Sequence, residues 1–252
     1  MRIIFVIIIF LGFALNSTLM SDQRLHKLSV VPGFTIWDVK IGSPISNLSD
    51  TSVSDIACGT NGGPMSLVIS SFEKFSKCRS EDSGLFEIAF TYDDEEQYIA
   101  KALNIQTNSM TEVTTVLAHR VIPSILVSSD GIIKGIRIMT DSRVPARDRA
   151  RAITLGRTFE NKYKGWNLNC SDSPLSDDEL QISSHHIKKT CTGESNKLNL
   201  KLRLDIRYLR KKGQTGINKN TQKINRGYFE SYTRLEIIDR SNVLSAPLSK
   251  RK

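Results

Sequence analysis

The chain has 252 residues, with 35 Lys or Arg against 26 Asp or Glu, a formal net charge of +9 and 39% hydrophobic residues. That length supplies core for one large domain or two of ordinary size, which excludes the class of small scaffolds that exist only through their disulfides. No catalytic motif, metal cluster or nucleotide loop stands out, and the reading leans away from an enzyme.

Met1 and Arg2 precede an almost unbroken apolar run from Ile3 to Leu15, which Asn16, Ser17 and Thr18 end. This is the pattern of a secretory signal peptide over residues 1–21, with Leu15-Asn16-Ser17 and Leu19-Met20-Ser21 as candidate cleavage sites. The run falls short of the roughly 20 residues that span a bilayer, and no later segment approaches that length. Cleavage removes Arg2, takes the net charge from +9 to +8, and leaves a chain expected to be soluble in the periplasm or secreted.

Phe34 to Ile41 alternates imperfectly and stops at Gly42-Ser43-Pro44, which suggests a first strand. Ala57-Cys58-Gly59-Thr60-Asn61-Gly62-Gly63-Pro64 is a glycine-rich turn, after which Leu67, Val68, Ser71, Phe72 and Phe75 recur at helical spacing. Leu85 to Tyr92 alternates as a strand, and Asp93 with Glu96 caps a helix running through Ile99 and Leu103. Ile125 and Val127, then Asp130-Gly131, then Ile133, Ile136 and Ile138 make the best hairpin signal in the chain. Asp148 to Tyr163 places Ala152, Leu155, Phe159 and Tyr163 on one face of an amphipathic helix. Strands follow at Trp166 to Cys170 and Leu180 to Cys191. Leu198 to Tyr208 alternates strictly, with Asn199, Lys201, Arg203, Asp205 and Arg207 on the wet face. Phe229, Thr233, Leu235 and Ile237 form its partner, with Glu230, Arg234 and Glu236 outward, and Lys211 to Gly227 reads as a long basic loop.

Cys58 and Cys78 lie twenty positions apart, Cys170 and Cys191 twenty-one. Behind a signal peptide these four are expected to be disulfides; of the three possible pairings, the local one is the simplest. No C-x-x-C or Cys/His cluster supports a metal or redox site.

These elements predict an α+β fold, with helices packed on antiparallel sheets in two related helix-plus-meander halves. The expected boundaries are a signal peptide at 1–21, an N-terminal half with the first disulfide at 22–142, a C-terminal helix and meander with the second at 143–240, and a basic tail at 241–252. Ala57 to Pro64, Gly84-Leu85 and Tyr92-Asp93-Asp94-Glu95, in this order behind a signal peptide, resemble uncharacterised exported proteins of alphaproteobacteria over Trp37 to Asp141. The resemblance implies a compartment more than an activity.

Charge is divided unevenly. Between Arg79 and Lys101 stand seven acids and no Lys or Arg; between Asp205 and Glu230 stand Arg207, Arg210, Lys211, Lys212, Lys219, Lys223 and Arg226 and no acid. The basic stretch is the leading binding candidate, for an anionic membrane surface, an envelope polymer or an acidic protein; without a partner it is a solvated hairpin loop. Nucleic acid is disfavoured by the compartment. His185 and His186, neighbours on a strand, point to opposite faces and do not share a metal; His26 and His119 are isolated; no serine sits in a nucleophile motif. The Gly59 to Gly63 turn has backbone N–H groups for an anion but lacks a phosphate loop's Lys, so tight geometry around a disulfide is its expected use. No cofactor or metal is expected. The favoured function is an exported, disulfide-stabilised, non-enzymatic module that binds a protein or anionic envelope surface in the periplasm. The alternative is a secreted effector or inhibitor acting on a host.

Overall fold

The alternation that marks strands in the sequence is realised ten times in the computed structural model, which describes residues 34–92, 114–217 and 224–244. In chain order the strands are β1 (Asp55–Cys58), β2 (Phe86–Thr91), β3 (Thr114–Val116), β4 (His119–Val127) and β5 (Ile133–Thr140), then β6 (Asn169–Asp172), β7 (Glu179–Leu180), β8 (Ile187–Ser195), β9 (Leu200–Ile217) and β10 (Ile224–Asp239). Between β5 and β6 run helices α1 (Ala146–Ala150) and α2 (Ala152–Lys162). All ten strands belong to one antiparallel sheet in the order β1-β2-β4-β5-β10-β9-β8-β6, with β3 beside β4 and β7 beside β9.

This overturns the expected α+β class and its two related halves. The deciding pairing is β5 with β10, where Arg234 stands opposite Met139, Glu236 opposite Arg137 and Ile238 opposite Gly135. It joins strands about a hundred residues apart into one β-rich sheet, and no local period reports such a partner. The described helical content is the α1–α2 segment and short 3₁₀ turns.

Four local readings change as well; the strand expected from Leu180 to Cys191 is interrupted by a turn between Ile182 and His185 and resumes only at Ile187. Phe34 to Ile41 holds a 3₁₀ turn at Ile36–Asp38, because the Asp38 carboxylate accepts from the Thr35 backbone N–H (2.7 Å) and hydroxyl (2.9 Å) and closes the chain on itself. The expected helix from Leu67 does not form: Ser66 N–H donates to Cys58 O, Cys58 N–H to Leu67 O and Ile69 N–H to Ile56 O, so this backbone pairs with β1. A 3₁₀ stretch at Phe72–Lys77 then carries buried Phe72 into Cys78. The Lys211 to Gly227 loop is mostly strand, with Arg226 opposite Thr215 and Tyr228 opposite Lys211; charge alone does not prevent a strand at an edge. The helix expected after Asp93 lies outside the described residues.

The Asp130-Gly131 hairpin stands as read, joining β4 to β5 with Gly131 at φ +79°. The expected helix is found at α1 and α2, where Ala152, Leu155, Gly156 and Phe159 are buried. A Cβ on Gly156 would meet Ile206 Cδ1 at 2.6 Å, so the glycine lets α2 press against β9. Register places Ile88, Ile125, Ile136, Ile237 and Leu202 in one row across one face of the sheet. They share the main apolar core with Leu155, Phe159, Ile36 and Phe72.

Candidate functional site

On the opposite face the next row reads Ala89, Ser124, Arg137, Glu236, Arg203 and Thr192, flanked by Glu87 on one side and by Arg234, Asp205 and Thr190 on the other. This is the face the alternation assigned to solvent. Instead Arg137, Arg234, Glu236, Asp205 and Ser124 are 0% exposed and Glu87 2%.

The charges on it pair closely. Arg137 donates to both Glu81 oxygens (2.7 and 3.0 Å) and meets Glu87 and Glu236 at 2.9 and 2.8 Å. Arg234 meets Glu236 at 2.6 Å and Asp205 at 3.8 Å, and donates to the Asn61 amide oxygen at 3.0 Å. Asp205 accepts from Arg203 (2.9 Å) and from the Thr190 hydroxyl (2.8 Å), with Arg207 3.6 Å away. Glu81, Glu87, Asp205 and Glu236 thus balance Arg137, Arg203, Arg207 and Arg234. Burial opposes the charge on Arg137, but Glu87, Glu81 and Glu236 overcome it and push its pKa up. Burial and the like charge of Arg137 push that of Arg234 down. Beside them, burial raises Tyr232 to about 12.

The glycine-rich turn completes this network. Asn61 (φ +59°) and Gly62 (φ +79°) aim successive N–H groups at the Glu87 carboxylate, whose Oε1 also accepts from the Ser124 hydroxyl at 2.8 Å. The turn is therefore an anion-binding site, and the anion is internal. Cys58, joined to Cys78, anchors the turn at its start. The second disulfide, Cys170–Cys191, links directly opposed residues of β6 and β8, with Cα atoms 4.0 Å apart. Glu160 lies close to both sulfurs, but a disulfide presents no thiolate to a metal.

Of the buried network only Arg207 was singled out from sequence, and for a different role. The one available signal was the run of opposed signs, Arg203-Asp205-Arg207 against Arg234 and Glu236, on strands already paired with each other.

The basic residues that were singled out do not form one cluster. Arg207 is buried and donates to Lys189 O at 2.7 Å, so its guanidinium is committed to the fold. Lys211 pairs with Glu230 at 2.6 Å. Arg210 is half-buried and Lys212 exposed, and neither side chain has a partner among the described residues. Arg226 stands on β10, while Lys219 and Lys223 lie outside the described residues. His119 Nδ1 lies 2.6 Å from Leu117 O, and His185 sits in a tight turn with Ile182. His26 is outside the described residues. Among the described residues, no helix is long and apolar enough to cross a membrane.

Compared with protein-family models, with curated proteins and with solved structures, the chain matches none. The reading of function rests on the chain's own geometry.

Proposed function

We propose that this protein is an exported, disulfide-stabilised binding module that docks on an anionic protein or envelope surface in the periplasm through a basic two-stranded arm. One observation carries the reading. Pairing of β9 with β8 ends at Tyr208 and with β7 at Lys211, and pairing of β5 with β10 covers only 234–238, yet β9 and β10 stay paired with each other out to Ile217 and Ile224. From Lys211 to Ile217 the ribbon extends about 20 Å at the usual rise of about 3.3 Å per residue. Past Lys211, which stands opposite Glu179 of β7 and pairs with Glu230, it carries Lys212 and Arg226, leads to Lys219 and Lys223, and its sequence holds no acid. Two disulfides fit an oxidising compartment, and the signal-like amino terminus supports export to it.

Lysines on such a ribbon also block edge-to-edge pairing between molecules, and binding separates the two roles. Lys211, Lys212, Lys219 and Lys223 are replaced by Ser, and sedimentation with vesicles containing an anionic phospholipid is compared with retention on a polyaspartate support. The expected result is unchanged folding, a loss of affinity of about tenfold or more on one support, and wild-type binding that weakens as salt rises. Wild-type affinity and salt dependence in the variant, on both supports, would refute the docking role. Cell fractionation separates the periplasmic reading from secretion into the medium.

A further inference from the structure

A second surface, away from the arm, is built differently. Between α2 and the β6–β8 edge lies a groove of about 390 Å³, within the range of small-molecule sites. Ile153, Ile187 and Ile206 supply its apolar lining. Most of the charge around it is already neutralised: Lys188 pairs with Glu179 at 2.7 Å and Lys189 with Glu160 at 3.2 Å. Three groups are not. Arg157 from α2, His186 before β8 and Asp172 at the end of β6 line the groove, and their side chains have no hydrogen bond or ion pair among the described residues.

An uncommitted guanidinium and an uncommitted carboxylate facing one apolar trough are complementary to a ligand with both charges and an apolar body. We propose that this groove binds a small zwitterion of the amino-acid type, an aliphatic amino acid or short peptide. Its carboxylate meets Arg157, with His186 beside it, its ammonium meets Asp172, and its side chains lie on the isoleucines. The walls are fixed in place by the Cys170–Cys191 crosslink between β6 and β8 and by the close packing of Gly156 against Ile206. A guanidinium reads a carboxylate with two parallel N–H groups, which a lysine does not reproduce.

The test uses the full-length oxidised protein and leucyl-leucine as probe, with binding followed by amide chemical shifts or calorimetry. Saturable binding is expected, with shifts confined to α2, β6 and β8. Arg157→Gln and Asp172→Asn, both exposed and outside the core, should each weaken it about tenfold. Blocking the probe reports the same contacts without altering the protein: C-terminal amidation should remove the Arg157 dependence and N-acetylation the Asp172 dependence. Lys212→Ser, in the arm, should leave dipeptide affinity unchanged, so this inference and the arm reading fail separately. Absence of saturable shifts at millimolar dipeptide, or affinity indifferent to both substitutions and both blocking groups, would overturn the proposal.

Discussion

Glu87→Gln changes one atom of the buried network and tests whether it holds the fold. The Glu87 carboxylate accepts from the Ser124 hydroxyl at 2.8 Å, from Gly62 N–H at 3.0 Å and from Asn61 N–H, and it meets Arg137 at 2.9 Å. An amide keeps the shape but replaces one acceptor oxygen with a donor NH₂. Placed at Oε2 it faces the Asn61 N–H; placed at Oε1 it faces Ser124, Gly62 and Arg137. Either orientation sets donor against donor, at about 1.5–3 kcal/mol for each hydrogen bond to a charged group. Arg137 keeps Glu81 and Glu236, so it is not stranded, and the loss stays near the lower end of the roughly 3–5 kcal/mol found when a buried ion pair is broken. The expected destabilisation is about 3 kcal/mol, a fall in Tm of about 6–12 °C for a domain of this size. Urea unfolding of the oxidised protein, followed through Trp37 and Trp166, measures it. Ser124→Ala, which removes one donor to the carboxylate, should cost about 1.5 kcal/mol. A Glu87→Gln cost below about 1 kcal/mol would refute the argument, since the carboxylate would then not be the anion that holds the turn.

Three further outcomes follow from the same geometry. Replacing Cys58 and Cys78 together by Ala should cost about 3 kcal/mol in the chain-entropy model and make the 59–71 segment the first site of limited proteolysis, read by mass spectrometry of early fragments. Gly156→Leu should destabilise by at least about 1–3 kcal/mol in thermal unfolding, because the added side chain meets Ile206 and Thr233 and lifts α2 from the sheet. The Tyr232 hydroxyl, raised to about 12 by burial, stays protonated in the folded protein where an unfolded tyrosine, near 10, has ionised. Its contribution to stability is therefore complete below about pH 10 and lost as pH rises toward 12; the alkaline unfolding midpoint of Tyr232→Phe should lie above that of the wild type.

The elements legible in the sequence were those whose signal is local. The Asp130-Gly131 turn, the apolar stripe of α2, the strict alternation from Leu198 to Tyr208 and the close spacing of the cysteines each reflect constraints within one or two dozen residues, and each has its structural counterpart. Charge totals marked the 207–226 stretch as unusual without revealing that Arg207 is spent inside the fold and that most of the remainder forms a ribbon. Only the tertiary structure decided the fold class, because the pairing of β5 with β10 spans nearly a hundred residues and a strand's period of two carries no address for its partner. The same pairing decided the fate of the polar face. Arg234, Glu236 and Asp205 read as solvent-facing along each strand taken singly, since alternation separates two faces but does not say which of them water reaches. Set side by side their charges cancel, and with Glu87 held by the backbone of the Asn61-Gly62 turn, a row of ions is kept out of water.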